Sequence, residues 1–365
     1  MKIALATDAW APQVNGVVRT LTTTVATLSA RGHQVDTITP DLFRTIACPS
    51  YPEIRLAIGC ARAVARRLDT LDADAVHIAT EGPIGWAARR WCLRRGRPFT
   101  TSFHTRFPDY VAMRTGLPAD WFWPVLRRFH GPATRIFAAT PSLADELADR
   151  GLPQVHAWSR GVDLALFSPD TAPLATLADL PRPVQLYVGR VAVEKNLEAF
   201  LSTRTPGSKI VVGDGPARAA LAARYPDARF LGALHGRELA AAYVGADVFV
   251  FPSHTDTFGL VNIEALASGV PVAAYPTRGP IDIIGLDGFG THGSQKRIGA
   301  LAEDLAEAIP AALTASRDDC AREGRRYSWD RCTDQFVAGL APCRPVGVGT
   351  PGPLRRDDSA EPLAA

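Results

Sequence analysis

The chain has 365 residues, of which 47% are hydrophobic and 21% charged, and its formal net charge is +3. This composition is typical of a soluble globular protein, and the length favours two domains. The six cysteines form no C-x-x-C pair, and Asp8 comes too early in the chain for a signal peptide. No run of about 18 apolar residues is present. We therefore expect neither a disulfide framework nor a membrane span, and we predict a cytoplasmic protein.

Arginine is concentrated in the first half of the chain, in two clusters. They are Arg62, Arg66 and Arg67, and Arg89, Arg90, Arg94, Arg95 and Arg97. Two interpretations stay open: a solvated helix face, and a surface that contacts an anionic membrane peripherally from the cytoplasmic side. Nucleic acid is not expected as a partner, because the basic residues are scattered and no aromatic stacking platform accompanies them.

Short β-branched runs alternate with helical patterns along the whole chain. The first half has predicted strands at KIALAT, HQVDTITP, AVHIAT, FTTSFH, RIFAAT and QVHAWS, and the second half at VQLYVGR, KIVVGDG, ARFLG, DVFVFPS and VPVAAY. Strands that are separated by helices indicate parallel sheets covered on both faces. The periodicity lapses in a proline-rich stretch between the halves. We predict the α/β class with two doubly wound domains, residues 1–165 and 181–342, a linker at 166–180 and a disordered tail at 343–365.

The segment HTDTFGLVNIEALASG, residues 254–269, follows a predicted strand and is read as a helix from about Phe258. The first N–H groups of such a helix form a site for a phosphate, and Gly259 permits close approach of a ligand. Glu264 is an acid inside an otherwise apolar helix, and Asp256 stands before the helix. Acceptors on both sides of a phosphate site match ribose, diphosphate and hexose in a nucleotide sugar. The alternative is that Asp256 only caps the helix and Glu264 is a satisfied core residue.

Four further residues are candidates for the cleft between the domains. Arg190 and Lys195, in GRVAVEKN, follow a strand and have the charge to neutralise a diphosphate. Gly16 lies at the start of the first long helix, without the G-x-G-x-x-G pattern of a dinucleotide fold. His104 follows the strand FTTSFH. The D-x-D pattern at Asp72–Asp74 precedes its strand, on the side away from the cleft, so no metal site is predicted there.

These motifs together resemble the GT-B glycosyltransferases of glycosyltransferase family 4. The resemblance covers nearly the whole chain, through NGVVRTL, GRVAVEKN, VGDGP and ADVFVFPSHTDTFGLVNIEALASGVPV. It is similar in detail to bacterial lipid glycosyltransferases and to GDP-mannose-dependent alpha-mannosyltransferases of this family. The resemblance implies two Rossmann-like domains facing across a cleft, retention of anomeric configuration, and no cofactor or metal. It also implies that the last helix, residues 327–340, crosses back onto the first domain.

The resemblance assigns roles to the candidate residues. Glu264 is expected to bind the donor ribose, while Asp256 and the backbone of Phe258, Gly259 and Leu260 meet the transferred sugar and the diphosphate. Arg190 and Lys195 are expected to neutralise the diphosphate. Gly16 is expected beside the donor phosphates, and His104 near the anomeric centre. The family commonly has glutamate where this chain has Asp256, which leaves the identity of the sugar open.

The donor is expected to be UDP-glucose, UDP-glucuronate or GDP-mannose, and the acceptor a lipid such as diacylglycerol, or a glycan. Trp121, Phe122 and Trp123 beside Arg127 and Arg128 are typical of a membrane interface. An alternative is that the two tryptophans belong to the core or to a groove for a soluble acceptor. Two rival functions stay open: a sugar-nucleotide 2-epimerase of the same architecture, and a non-catalytic nucleotide-sugar or lipid-binding protein. The sequence does not define the oligomeric state.

Overall fold

A computed structural model of the chain describes residues 1–13, 15–48, 51–104, 108, 112 and 116–343. The predicted disordered tail therefore lies outside the described residues, apart from Cys343. Helices and strands alternate as the sequence pattern predicts, and the fold class is confirmed: the protein is α/β, with two parallel sheets. Among the described residues, none of the helices has the length and apolar character needed to cross a bilayer.

The first sheet has six parallel strands in the order β2-β1-β5-β6-β7-β8. Its strands are β1 (Lys2–Ala6), β2 (Gln34–Ile38), β5 (Ala75–Ile78), β6 (Thr100–Ser102), β7 (Arg135–Ala138) and β8 (Val155–Ala157). The helices of this half are α1 (Gly16–Ala30), α2 (Ala61–Leu71), α3 (Pro83–Arg95), α4 (Trp123–His130) and α5 (Pro141–Asp149). An antiparallel hairpin of β3 (Thr45–Cys48) and β4 (Tyr51–Ala57) stands apart from the sheet.

The second sheet repeats this plan, with six parallel strands in the order β11-β10-β9-β12-β13-β14. Its strands are β9 (Val184–Val188), β10 (Ser208–Val212), β11 (Arg229–Gly232), β12 (Val248–Phe251), β13 (Val272–Ala274) and β14 (Gly299–Leu301). Its helices are α6 (Leu197–Ser202), α7 (Arg218–Arg224), α8 (Gly236–Val244), α9 (Leu260–Ala267), α10 (Pro280–Ile284), α11 (Leu305–Ala312) and α12 (Arg317–Gly324).

Three strands were not predicted, β3, β4 and β14. Strand β14 has the sequence GAL and contains no β-branched residue, so it carries no strand signal. Glycine occupies position 299 for a steric reason: a Cβ there would lie 2.4 Å from the carbonyl oxygen of Val272 on the neighbouring strand. Close packing at this edge of the sheet therefore requires a residue that carries no strand signal.

The last helix, α13 (Trp329–Gly339), packs on the first domain although it follows the second in sequence. Its residues Cys332 and Phe336 are buried in one cluster with Ile3 and Leu5 of β1. On the surface, Arg31 at the end of α1 pairs with two carboxylates of α13, at 2.7 Å from Asp330 and 2.6 Å from Asp334. Helix α13 therefore ties the two halves of the chain together.

His77 on β5 forms a buried polar link to the neighbouring strand. Its ring nitrogens lie 2.8 Å from the hydroxyls of Thr100 and of Ser102, and Phe137 and Phe336 pack against the ring. Burial lowers the pKa of His77 from 6.5 to about 3. Between about pH 6.5 and pH 3 the His77 imidazole is therefore neutral in the folded protein, whereas the same side chain is protonated in the unfolded chain.

Acid is expected to destabilise the protein through His77. The folded pKa lies below the unfolded one, so the stabilisation is complete above pH 6.5 and is lost as the pH falls from 6.5 towards 3. Between pH 6.5 and 4 the loss amounts to about 3 kcal/mol. Denaturant unfolding of His77→Gln over this range should show a shallower pH dependence than the wild type, while exposed His235→Gln should match the wild type. Parallel pH curves for wild type and His77→Gln would contradict the prediction.

Candidate active site

The predicted donor residues follow two strands that flank the switch point of the second sheet. Strands β9 and β12 are neighbours, and the connections from them leave in opposite directions, to β10 and to β13. Ligands of doubly wound sheets bind in the crevice that opens at this point, beyond the carboxyl ends of the strands. The loop after β9 carries Arg190 and Lys195, and the loop after β12 carries Asp256 and leads into α9.

Lys195 and Asp256 are brought together from these two loops. The Lys195 ammonium lies 2.6 Å from Oδ1 of Asp256, and each side chain is about one-fifth exposed. Lys195 ends a short 3-10 turn, Val193–Lys195. Arg190, five residues earlier, has an exposed side chain, and its carbonyl accepts a hydrogen bond of 2.8 Å from the Tyr187 hydroxyl. The crevice therefore carries cationic groups beside one carboxylate.

Helix α9 begins at Leu260, two residues later than predicted, because Gly259 adopts a left-handed conformation with φ 78°. The helix points its first N–H groups back towards the Asp256 loop. The Phe258 side chain is buried in the core of the second domain, so only its backbone faces the crevice. A Cβ on Gly259 would lie 2.6 Å from Nδ2 of Asn262 and 2.9 Å from Cζ of Phe251.

Gly259→Ala is expected to destabilise the protein by about 2–4 kcal/mol, because it adds a steric clash to a backbone conformation that alanine disfavours. Gly32→Ala is a matched control, since Gly32 has φ 81° but nothing within 4 Å of its Cβ position. Denaturant unfolding should show a clearly larger loss for Gly259→Ala than for the control. Equal losses would mean that the space around Gly259 is not restricted.

Glu264 lies one turn into α9 and is almost completely buried, with 1% of its surface exposed. Its Oε1 accepts a hydrogen bond from Arg19 of the first domain, and its Oε2 accepts one of 3.0 Å from the Tyr243 hydroxyl. Burial raises the pKa of Glu264, while Arg19 and Tyr243 lower it. The carboxylate thus has partners in the chain itself, and a carboxylate has lone pairs for further donors.

The cleft between the domains is closed by contacts from the carboxyl ends of both sheets. Besides the Arg19–Glu264 pair, the Thr257 hydroxyl donates to the His104 carbonyl at 3.0 Å. A Cβ on Gly16 would lie 3.5 Å from Cδ1 of Leu260, so these two candidates also meet. The structure therefore brings Gly16, His104, Asp256, Lys195 and Leu260 to one region. On another part of the boundary, Ser142 of α5 bonds Asp282 of α10.

His104 lies two residues beyond β6 and is buried. Its Nδ1 is 3.1 Å from Nη2 of Arg160, and its ring packs edge-on against Trp158. Burial, together with the charge of Arg160, lowers the pKa of His104 well below its usual value. His104 is therefore a neutral imidazole at physiological pH.

Three residues of this region, Arg19, Tyr243 and Arg160, were not singled out from the sequence. Arg19 lies in the motif NGVVRTL, three residues after Gly16 and thus on the same face of α1. The spacing between Gly16 and Arg19 is the sequence feature that could have identified Arg19 as a residue of the site. Tyr243 lies in the apolar helix α8, where no pattern distinguishes it from a core residue. Arg160 becomes informative only through its contact with His104.

The D-x-D pair at Asp72–Asp74 is used in local contacts. The backbone N–H of Lys2 donates to Oδ2 of Asp74 at 2.8 Å, and Asp72 lies 3.7 Å from the Arg97 guanidinium. Across the described part of the chain, no group of three or more His, Cys, Asp or Glu side chains is placed to hold a metal ion.

Comparison of the sequence with known proteins shows the family of the chain. Residues 14–166 match the profile of Glycosyltransferase Family 4, and residues 182–314 that of Glycosyl transferases group 1. The GDP-mannose-dependent alpha-mannosyltransferase of Mycolicibacterium smegmatis is 33% identical over 90% of each chain. The Alpha-monoglucosyldiacylglycerol synthase of Streptococcus pneumoniae is 27% identical over 87% of this chain and 79% of its own.

Sucrose-phosphate synthase from Thermosynechococcus elongatus shares the fold, with a TM-score of 0.73 at 22% identity over 92% of this chain and 97% of that one. Two Rossmann-like domains with the candidate site between them are the GT-B fold. The chain belongs to glycosyltransferase family 4, so the family expected from the sequence motifs is confirmed. It is a glycosyltransferase of the class that uses nucleotide sugars.

Proposed function

We propose that this protein is a retaining, metal-independent hexosyltransferase that moves a sugar from UDP-glucose, UDP-glucuronate or GDP-mannose to a hydroxyl of a membrane lipid such as diacylglycerol. The observation that carries the proposal is the spacing of groups around the start of α9. Lys195 and Asp256 lie on one side of it, and Glu264 lies one turn along it. A nucleotide sugar presents its hexose, diphosphate and ribose in this order.

In this assignment the ribose hydroxyls bind the Glu264 carboxylate, next to Arg19 and Tyr243. Lys195, Arg190 and the first N–H groups of α9 neutralise the diphosphate, and Asp256 and His104 contact the hexose. The acceptor hydroxyl attacks the anomeric carbon on the face from which the diphosphate leaves. Stabilisation of the departing diphosphate is the largest catalytic contribution of these groups.

The relatives support the chemistry of both substrates. One relative is named for GDP-mannose and for an alpha-mannosyl product, and GDP-mannose itself is α-linked, so its transfer retains configuration. Another is named as a synthase of a glucosyl diacylglycerol. On this chain, Trp121 is 66% exposed beside exposed Arg127 and Arg128, which suits a lipid surface. Trp123, by contrast, is buried and stacks on Phe103, so it belongs to the core.

The test is a panel of UDP-glucose, UDP-glucuronate, UDP-galactose and GDP-mannose with lipid extract as the acceptor source. Lipid mass spectrometry should show one hexose added, and NMR of the product should show the α-anomer. Conversion of a nucleotide sugar to its epimer without acceptor would contradict the proposal in favour of an epimerase. Binding without release of nucleotide, for every acceptor tried, would favour a non-catalytic binding protein.

Removal of divalent metal is expected to leave the activity unchanged, because the proposed site neutralises the diphosphate with Lys195, Arg190 and the start of α9. Initial rates should agree within about twofold before and after EDTA treatment, a difference of less than 0.5 kcal/mol in barrier height. A loss of activity that Mg²⁺ or Mn²⁺ restores would contradict metal independence.

A further inference from the structure

Arg160 is a buried cation next to the proposed sugar site. It follows β8, has 5% of its surface exposed, and its guanidinium lies 4.8 Å from the centre of the Trp158 ring. Its Nη1 donates to the carbonyls of Trp158 at 2.7 Å and Ser159 at 3.1 Å. These contacts fix the guanidinium and aim Nη2 at Nδ1 of His104, 3.1 Å away.

This contact determines the protonation of the His104 ring. A guanidinium has only donors, so the ring nitrogen that faces it must be the acceptor. The pKa of Arg160 is lowered to about 10 by burial, and the group is therefore charged at neutral pH. A neutral imidazole whose Nδ1 accepts must carry its proton on Nε2. Turning the ring over would place the carbon Cδ2 against Nη2 of Arg160 and leave that donor without its acceptor, so the contact also fixes the orientation of the ring.

The Nε2 nitrogen of His104 is buried and has no hydrogen-bond partner among the described residues. It lies on the other side of the ring from Arg160. A buried N–H without a partner is costly, and its presence calls for an explanation such as a ligand. The His104 carbonyl binds Thr257, the residue after Asp256, so the ring stands at the proposed hexose end of the site.

We propose that Arg160 is a positioning residue that fixes His104 as its neutral Nε2–H tautomer, so that His104 donates a hydrogen bond to a hydroxyl of the transferred sugar and carries no proton in the reaction. This inference rests on the proposed function. It differs from an acid or base role for His104, in which the ring would gain or lose a proton during turnover.

The titratable groups that face His104 and Arg160 allow the neutral Nε2–H tautomer of His104 to persist over a wide pH range. Among the residues that the structure describes, these groups are His77, whose pKa is lowered to about 3, and Cys332, whose pKa is raised to about 11, both by burial. Trp158, which packs against the His104 ring, does not titrate. None of these groups changes its charge between pH 5 and 9, so none of them drives a change at His104 in that range.

The tautomer is tested on the ligand-free protein by NMR of ¹⁵N-labelled histidine, with the His104 signals assigned from His104→Gln. We expect an unprotonated Nδ1 and a protonated Nε2 that do not change from pH 5 to 8. In Arg160→Met the Nδ1–H form should appear and the pKa of His104 should rise, because the charge of Arg160 is lost while the burial remains. Arg160→Lys, which still donates, should restore the wild-type pattern. A protonated Nδ1 or titration in the wild type would overturn the proposal.

The role in turnover is tested with the same variants. Arg160→Met should lower kcat about tenfold, the loss of about 1.4 kcal/mol of transition-state stabilisation. It should change KM for the donor little, and any acidic limb in the pH profile of kcat should move to higher pH than in the wild type. Arg160→Lys should recover much of the rate, and exposed Arg229→Met, on the edge strand β11, should match the wild type. An unchanged kcat in both Arg160→Met and His104→Gln would overturn the role at the sugar. Absence of nucleotide-sugar binding to the wild type would instead overturn the proposed function. The NMR spectrum of the ligand-free protein would still decide the tautomer of His104.

Discussion

Replacing Glu264 by alanine is expected to weaken nucleotide binding by about 100-fold or more, because two ribose hydroxyls lose hydrogen bonds to a charged acceptor, each worth about 1.5–3 kcal/mol net of water. Titration calorimetry with UDP and GDP measures the effect. A second measurement makes it specific: the 2′,3′-dideoxy nucleotide should bind wild type and Glu264→Ala with similar affinity. The ribose hydroxyls and Glu264 then form the two arms of a double-mutant cycle.

The controls for Glu264 are its two partners in the chain. Arg19→Met and Tyr243→Phe keep the carboxylate but remove the groups that bond it in this structure. Each should change nucleotide affinity less than about tenfold, or 1.4 kcal/mol. If either reproduced the full loss of Glu264→Ala, the acid would act through the contact between the domains. An equal loss for ribose and dideoxyribose ligands would also contradict the ribose contact.

Lys195→Met is expected to lower kcat about 100- to 1,000-fold, because it removes a cation that stabilises the leaving diphosphate in a water-poor cleft. The same change leaves Asp256 facing the diphosphate without the ammonium that lies 2.6 Å away in the free protein. Like charges repel, so the loss of affinity for UDP or GDP, which lack the hexose that Asp256 contacts, should partly recover in Lys195→Met/Asp256→Asn. Steady-state kinetics and calorimetry on both variants separate the two effects.

Lys296→Met is the matched control for the charge change, since Lys296 is exposed. It should retain wild-type kinetics. Full activity in Lys195→Met would refute its place at the diphosphate. A double variant that binds UDP or GDP no better than Lys195→Met would mean that the Asp256 carboxylate does not lie near the diphosphate.

Much of the fold and several site residues were accessible to sequence reasoning, because local patterns encode them. The alternation of β-branched runs with helices indicated two doubly wound sheets, and this is what forms. Lys195 and Asp256 each follow a strand of the second domain, and parallel strands end at the same edge of a sheet. Their convergence therefore followed from topology alone, whereas strand β14 escaped because close packing forced glycine into it.

The class of fold, the family and the loops that meet at the cleft can be predicted from the sequence, since periodicity and motif spacing are properties of neighbouring residues. The hydrogen-bond partners of the buried polar groups, by contrast, are visible only in the folded structure. Glu264 bonds Arg19, which is 245 residues away in the chain, and His104 bonds Arg160, which is 56 away. Such contacts depend on how two domains and their loops are placed in space. Burial then makes them decisive, because a low-dielectric interior strengthens each hydrogen bond and penalises each missing one.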